Sequence, residues 1–203
     1  MNFLLSLVIF YLAVVIHEYA HGLTASWLGD KSAKYAGRLT LNPLAHIDPF
    51  GTIILPVILL ISGSPVILGW AKPVPINYWS LRNPKRDILW VGLAGPLANI
   101  LSAFILGLTI KTAPGIIPPI ALGLIKQAIV LNLMLAVFNL IPIPPLDGSR
   151  IALSLLPPKL SRLYAKIEPW GFVILFILLY LRLFDGLIRL GIGILLQLFK
   201  ITL

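Results

Sequence analysis

Residues 14–24 read Val-Val-Ile-His-Glu-Tyr-Ala-His-Gly-Leu-Thr, inside an apolar stretch that runs from about residue 2 to residue 23. An α-helix turns once in about 3.6 residues and rises about 1.5 Å per residue, so His17 and His21 lie on one face, about 6 Å apart along the axis. This spacing lets both imidazoles bind one metal ion. Glu18 projects from the neighbouring side, where it can act on a water at the metal rather than serve as a third ligand.

The composition is that of a membrane protein. Of 203 residues, 59% are hydrophobic and 11% charged, and the mean hydropathy is +0.98, whereas globular domains have about 45–50% apolar and about 25% charged residues. The sequence contains no cysteine, so a metal site must use histidine and carboxylate ligands. The formal charge of +9 comes mostly from loops between apolar segments, which predicts contact with anionic lipid headgroups and no nucleic-acid partner.

The histidine motif is expected to lie within the bilayer. About 20 apolar residues span a hydrocarbon core, and residues 2–24 reach that length. Ionisable groups at this depth are costly and are functional candidates by default. The competing interpretations are a chance match to the motif, or histidines satisfied by core hydrogen bonds. The start lacks a basic region and a small-residue cleavage site, so the motif helix is expected to remain in the mature protein.

The basic residues of the loops predict the orientation. Residues 25–50 and 70–86 carry most of the nearby lysines and arginines, and no basic residue precedes the first span, which places both loops in the cytoplasm. This requires an even number of crossings between the two loops. Residues 51–69 are interrupted by Pro56 and by Gly63-Ser64-Pro65 and are therefore predicted to form a re-entrant segment. A short strand is predicted at 36–41.

Further apolar segments complete the predicted fold, an all-α polytopic membrane protein of about five to six transmembrane helices with a re-entrant segment and short membrane-associated strands. The spans are predicted at 87–110, 119–141 and 169–184, and residues 186–203 form either another span or an interfacial helix. The chain is predicted to be one domain, 1–203, with a core at about 10–150 and additional helices at 169–203.

The sequence Ile-Pro-Ile-Pro-Pro-Leu-Asp-Gly-Ser-Arg at 141–150 follows the third span. Its prolines end the helix just before Asp147. In the predicted topology Asp147 reaches the same membrane face as His17 and His21, and two histidines with one carboxylate form a common catalytic zinc set. The alternative for Asp147 is an N-cap of the segment 148–155.

Four other polar residues have open interpretations. Asn99, in the second span, forms an interhelical hydrogen bond or binds substrate. Asn132 and Asn139 are seven residues apart and so lie nearly on one helical face. His46 makes a loop hydrogen bond or a regulatory metal contact, and it approaches the metal only if residues 41–51 fold back into the membrane.

Together these motifs resemble the site-2 proteases, the intramembrane zinc metalloproteases. The matching pieces are His17-Glu18-x-x-His21, Gly95-Pro96-x-x-Asn99, and the stretch from Asn139 through the prolines to Leu146-Asp147-Gly148. Residues 41–51 and 69–77 look like a compact subgroup without PDZ or CBS domains. The resemblance implies that His17, His21 and Asp147 bind one Zn²⁺ per chain and that Glu18 activates water. It also implies that Asn139 holds the substrate backbone or the developing oxyanion, while Asn99 is treated as packing first.

The expected activity is hydrolysis of peptide bonds within or next to transmembrane segments of membrane-protein substrates, as in regulated intramembrane proteolysis. The expected location is the plasma membrane, with the active site towards the cytoplasm. A substrate unwound from its helix is expected to pair with an extended edge at 36–41 or 69–77. The alternatives are a membrane metal transporter and a catalytically inactive scaffold. The oligomeric state stays open.

Overall fold

The computed structural model describes residues 3–63, 69, 71–113 and 115–201, and within them the chain is helical with no β-strand. The α-helices are α1 (Phe3–Trp27), α2 (Ser32–Tyr35), α3 (Leu55–Ile61), α4 (Pro84–Thr112), α5 (Pro119–Asn139), α6 (Asp147–Leu155), α7 (Pro158–Ala165), α8 (Gly171–Tyr180) and α9 (Asp185–Phe199). Short 3₁₀ turns occupy Pro43–His46, Tyr78–Ser80 and Glu168–Trp170, and a π-helical stretch occupies Pro49–Ile54. The prediction of an all-α polytopic membrane protein is confirmed.

Four helical stretches in the described part of the chain are long and apolar enough to cross a membrane: Leu5–Trp27, Pro84–Thr112, Pro119–Asn139 and Pro158–Tyr180. This is fewer than the five to six expected. The expected span at 169–184 is the second half of one stretch, in which α7 leads through a 3₁₀ turn into α8. Helix α9 has 15 residues, fewer than the ~20 needed to cross.

The segment expected to be re-entrant is a shorter apolar helix, Pro49–Ile61. It is shorter than the ~20 residues needed for a crossing, which agrees with the predicted re-entrant course. It continues from the π-helical stretch into α3 and ends at Ile61. Ser64 and Pro65, which bounded the prediction on its far side, lie outside the described residues.

Helix α4 is the centre of the fold and packs against α1, α5 and α6. Small side chains allow these backbones to approach closely: Ala13 of α1, Ala103 of α4 and Ala136 of α5 are each at most 1% exposed. The opposite faces carry exposed leucine, isoleucine and phenylalanine side chains. Such faces are stable against lipid tails, so this helix cluster is the membrane-embedded framework.

The strand predicted at 36–41 is wrong. Gly37 has a φ of +65°, and the Arg38 N–H donates to the Ala33 carbonyl, which closes a turn after α2. Instead of a backbone ladder, the Arg38 guanidinium donates to the Lys72 carbonyl at 2.5 Å. A strand needs a neighbouring backbone with which to pair, and this stretch makes its long-range contact through a side chain.

The loop after α2 returns along α1. The Tyr11 hydroxyl donates to the Pro43 carbonyl at 3.1 Å, and Tyr11 precedes His17 by about 9 Å along the helix axis. The 41–51 stretch therefore folds back beside the first span instead of forming a free cytoplasmic loop. Residues 71–77 are extended and attached to it, since the Lys72 N–H donates to the His46 carbonyl at 2.9 Å.

Candidate active site

The two histidines of α1 face one another, as their spacing of one helical turn requires. Their Nε2 atoms are 3.0 Å apart, and the residues are 5% and 6% exposed. Because few water molecules reach them, the atoms near these nitrogens must supply their bonding partners.

Asp147 completes the cluster from the first residue of α6. Its Oδ2 lies 2.9 Å from His17 Nε2 and 3.2 Å from His21 Nε2. The alternative role as an N-cap is excluded, because Leu146 occupies the cap position and no side chain caps the helix. The next residue, Gly148, lies against the carbonyls of Leu140 and Ile141. A side chain there has no space, so the glycine lets α6 start directly beside the end of α5.

The electrostatics at Asp147 favour its ionised form. Burial by itself raises the pKa of the carboxyl, but His21 and His17 beside it outweigh burial and hold that pKa well below its ordinary value. A carboxylate, unlike a carboxylic acid, offers a lone pair and a negative charge to a cation. Asp147 is therefore present in the form that binds metal.

The three side chains fit a metal ion. Their donor atoms all lie within 4.8 Å of one another, and this is the group of histidine and acidic side chains able to hold an ion within the described ranges. Ligand bonds of about 2.0–2.1 Å in a tetrahedron separate donors by about 3.3 Å. The observed separations of 2.9–3.2 Å come within a few tenths of an ångström of that value. Two imidazoles and one carboxylate leave a fourth position for water.

Gly95 of α4 provides the space in which an ion fits. A Cβ atom on this residue meets His21 Nε2, and it lies 2.5 Å from His17 Nε2 and 2.6 Å from His17 Cε1. A methyl group here occupies the volume between the two imidazoles. The absence of a side chain at position 95 thus keeps open the cradle that a metal requires.

Each histidine is oriented through its other nitrogen. His17 Nδ1 lies 2.6 Å from Asn99 Oδ1, and His21 Nδ1 lies 2.7 Å from the Val91 carbonyl oxygen. A carbonyl oxygen only accepts, so His21 carries a proton on Nδ1, and its Nε2 is the nitrogen that faces Asp147. Such partners fix the ring and make the imidazole a better ligand.

Glu18 lies outside the ligand group and is held by the 71–77 loop. The Val74 N–H donates to Glu18 Oε2 at 2.8 Å. Val74 is 5% exposed, and its side chain packs at Gly22, where a Cβ would lie only 2.9 Å from Val74 Cγ1. One carboxylate oxygen is thereby fixed by the backbone, and among the described residues no backbone N–H binds the other.

The 71–77 loop has further anchors at both ends. At its start, the Arg38 guanidinium donates to the Lys72 carbonyl. The Lys72 N–H donates to the His46 carbonyl. At its end, the Asn77 N–H donates to Asp30 Oδ2 at 2.7 Å. The loop is therefore fixed to the α1–α2 region, and it presents Val74 to Glu18 in one orientation.

Tyr78 follows this loop and connects it to α6. The Arg150 guanidinium lies 5.5 Å from the Tyr78 ring centroid and binds Glu168 at 2.5 Å. Burial, more than any neighbouring charge, raises the pKa of the Tyr78 hydroxyl, so this phenol is neutral at physiological pH. The helix that carries Asp147 and the loop that holds Glu18 are thus in contact.

The remaining predicted polar residues lie apart from the three ligand atoms. Asn139 donates to the Leu135 carbonyl of its own helix at 3.0 Å. His46 is fully buried, and its Nε2 donates to the Thr40 carbonyl at 2.9 Å. Although the 41–51 stretch does fold back, His46 does not join the ligand group. Asn99 lies beside His17 and is fully buried.

Comparison with known proteins decides the family. The sequence pattern of peptidase family M50 matches residues 119–181. "Putative zinc metalloprotease YwhC" of Bacillus subtilis is 40% identical over 170 residues, which cover 80% of this chain and 74% of that protein. The chain belongs to peptidase family M50.

This M50 peptidase is also similar to proteins named "Putative zinc metalloprotease Rip2". The one from Mycolicibacterium smegmatis is 33% identical, covering 83% of the chain and 63% of that protein. The one from Mycobacterium tuberculosis H37Rv is 28% identical, covering 86% and 66%.

Membership of family M50 confirms the resemblance to site-2 proteases and makes the protein a peptidase. With its four apolar helices, this M50 peptidase is an integral membrane protein. No solved structure matches the chain.

Sequence reasoning overlooked several parts of the site. The sequence assigns no role to Gly95 beyond its place in the motif Gly95-Pro96-x-x-Asn99, although its position four residues before Asn99 is a usable signal. The contacts of Val91 and Val74 are made by backbone atoms, so their residue types carry no signal for them. Only the packing of α4 and of the 71–77 loop against α1 reveals these contacts.

Proposed function

We propose that this M50 peptidase is an intramembrane zinc metalloprotease that hydrolyses peptide bonds within or next to transmembrane segments of other membrane proteins. The observation that carries the proposal is the convergence of His17, His21 and Asp147, with Glu18 beside them on α1. The relatives named as zinc metalloproteases support the choice of metal, as does the absence of thiolate ligands from a cysteine-free chain.

His17, His21 and Asp147 are the proposed zinc ligands, one ion per chain. When bound, zinc supplies Lewis-acid chemistry, which lowers the pKa of water and polarises a carbonyl group. Asn99 and the Val91 carbonyl hold the two imidazoles with their Nε2 atoms directed at the ion. Gly95 leaves the space.

Glu18 is the proposed general base. It accepts a proton from the attacking water and then donates it to the leaving amine. The hydrogen bond from Val74 fixes one of its oxygens, which directs the other towards the water. This geometry also explains why the motif residue next to the first histidine acts on water rather than as a ligand.

The substrate must unwind locally, because a transmembrane helix encloses its carbonyls in its own hydrogen bonds. The extended residues 71–77 beside Glu18 offer carbonyl groups with which an unwound segment can pair. Asn139 is the proposed contact to the substrate backbone or oxyanion. For that role, the hydrogen bond from the Asn139 amide to the Leu135 carbonyl must break. Asn99, in contrast, is proposed to act on His17 and not on substrate.

The proposed location is the plasma membrane with the site towards the cytoplasm, and the basic residues of the loops support that orientation. The alternatives have less support. A metal transporter needs ligands at several depths, and within the described residues one candidate ligand group is present, at one level. An inactive scaffold has no need of a carboxylate held beside that group, as Glu18 is.

The test is cleavage of a single-span model substrate by the purified peptidase in proteoliposomes, with mass spectrometry to locate the cut. Wild-type protein is expected to cut within or next to the span, and Glu18→Gln to retain zinc without cutting. Equal cleavage by Glu18→Gln contradicts the assignment of the base. Cleavage confined to soluble regions far from the span contradicts the substrate class.

A further inference from the structure

We infer that Asn132 of α5 is a positioning residue: through Asn99 it fixes the hydrogen bond at His17 Nδ1 and so the orientation of the His17 ring. The assignment rests on the proposed function in so far as His17 binds zinc. The hydrogen-bond pattern itself does not depend on a metal. Asn132 belongs to none of the sequence motifs from which the site was predicted.

The chain of hydrogen bonds begins at a backbone carbonyl of α5. Asn132 Nδ2 donates to the Ala128 carbonyl at 2.9 Å. Since a carbonyl only accepts, this contact identifies the amide nitrogen of Asn132 and directs its oxygen away from Ala128. That oxygen accepts from Asn99 Nδ2 at 2.8 Å.

Asn99 transmits this orientation to α1. Its Nδ2 also donates to the Ala13 carbonyl at 3.0 Å, so both amide hydrogens of Asn99 are used by acceptors on two different helices. The remaining atom, Oδ1, can only accept, and it lies 2.6 Å from His17 Nδ1. His17 must therefore donate from Nδ1, and this hydrogen bond holds the ring with its Nε2 towards Asp147, 2.9 Å from the Asp147 Oδ2.

No other group replaces Asn132 in this arrangement. Asn99 is fully buried and Asn132 is 4% exposed, so exchange of a lost hydrogen bond for water is unfavourable. A cleft of about 370 Å³ between α1, α4 and α5 borders Asn132, and its other lining side chains are apolar except Ser102. The Ser102 hydroxyl already donates to the Ala98 carbonyl.

His17 and His21 differ in the groups that accept their Nδ1 hydrogen bonds. His21 donates to a backbone carbonyl, which no substitution removes, whereas His17 depends on two side-chain amides in series. Replacing Asn132 by leucine leaves one Asn99 hydrogen without an acceptor and lets the amide turn. Of the three histidines, only His17 is expected to have a weakened Nδ1 hydrogen bond.

The experiment uses the full chain in nanodiscs with ¹⁵N-labelled histidine. Because the chain has three histidines, each ring gives an assignable signal. Asn132→Leu is expected to weaken the hydrogen bond at His17 Nδ1 in the zinc-free protein, so that the Nδ1–H signal shifts and its proton exchanges faster with solvent. His21 and His46 stay unchanged. The zinc dissociation constant, measured by chelator competition, is expected to rise roughly tenfold, the lower end of the range for residues behind a ligand.

Two controls separate positioning from a general packing defect. Gln127→Leu removes another amide between α5 and α1, the one that donates to Ser6, and is expected to change neither readout. Asn132→Asp keeps an acceptor for Asn99 and is expected to restore both. If Asn132→Leu does not fold, Asn132→Asp against Asn132→Ala serves as the comparison.

The effect must also pass through Asn99. Asn132→Leu is expected to add no further loss of zinc affinity in an Asn99→Ala background, since interacting residues are not additive. Additive losses, or an unchanged His17 Nδ1–H signal in Asn132→Leu, overturn the inference. A wild-type protein that binds no zinc contradicts the proposed function, while the Nδ1–H measurement on that same protein still tests the role of Asn132.

Discussion

His17 and Asp147 are 130 positions apart in the sequence, yet His17 Nε2 and Asp147 Oδ2 lie 2.9 Å apart. Two spans, α4 and α5, lie between them in the chain. The contact forms because α5 returns the chain to the face that α1 reaches, and α6 starts there at once. The contact between His17 Nε2 and Asp147 Oδ2 therefore depends on the arrangement of all three helices, α1, α4 and α5.

Replacing Asp147 by asparagine is expected to weaken zinc binding by more than about 100-fold, since losing a ligand exceeds the effect of losing a residue behind one. The neutral amide removes the negative charge that faces both imidazoles. Metal analysis of purified protein after dialysis measures the loss. Asp185→Asn, at the exposed start of α9, is the matched control. Equal zinc in both variants would remove Asp147 from the site.

Gly95→Ala is expected to abolish zinc binding while the protein remains folded. Its methyl group would lie between the two imidazoles, with His17 Nε2 at 2.5 Å. Gly123→Ala is the control, because nothing lies within 4 Å of a Cβ there and alanine favours a helix by about 1 kcal/mol over glycine. Zinc content and the helical circular dichroism signal distinguish the outcomes. A zinc-loaded Gly95→Ala protein would show that the ion sits elsewhere.

Arg38→Met is expected to loosen the 71–77 loop without releasing zinc. It removes the guanidinium bond to the Lys72 carbonyl, and a hydrogen bond from a charged group contributes about 1.5–3 kcal/mol. Hydrogen exchange at the Val74 amide should accelerate by roughly 10- to 100-fold, the same free energy expressed as a rate. Cleavage should fall with it, since Val74 holds Glu18. Arg162→Met, on the exposed surface of α7, should match wild type in both measurements.

Chelation is expected to stop cleavage and lower the melting temperature while leaving the helical content intact. A ligand that binds only the folded state raises the free energy of unfolding by mass action. Removing the ligand therefore lowers the free energy of unfolding by the same amount. The packing of α4 against α1 and α5 also uses the buried residues Ala13, Ala103 and Ala136, which are not among the proposed ligands. Zinc added back should restore activity. Loss of helix on chelation would mean that the metal is needed for the fold itself.

The sequence predicts those parts of the site that follow from local backbone geometry. Helical spacing places His17 beside His21, and the prolines before Asp147 end α5 at a definite membrane face. Both follow from local geometry. The contacts through Val91 and Val74 depend on how separate segments dock, and backbone atoms have no residue-specific signal.

The wrong expectations also have physical reasons. Within the described residues, 36–41 has no neighbouring strand with which to form a ladder, and Arg38 bonds with its side chain instead. The described residues give four candidate spans, and apolarity alone does not reveal that α7 and α8 form one stretch or that α9 is short. The return of residues 41–51 beside α1 depends on one tyrosine contact, which hydropathy cannot indicate.

Gly95 has a consequence for how the gene tolerates mutation. Every other amino acid carries a Cβ, so every missense change at this codon fills the cradle between the two imidazoles. In a saturation library selected for activity, position 95 should therefore be depleted as completely as positions 17 and 21, with no conservative replacement. Gly95, which has no side chain, would then tolerate substitution as little as the proposed zinc ligands do.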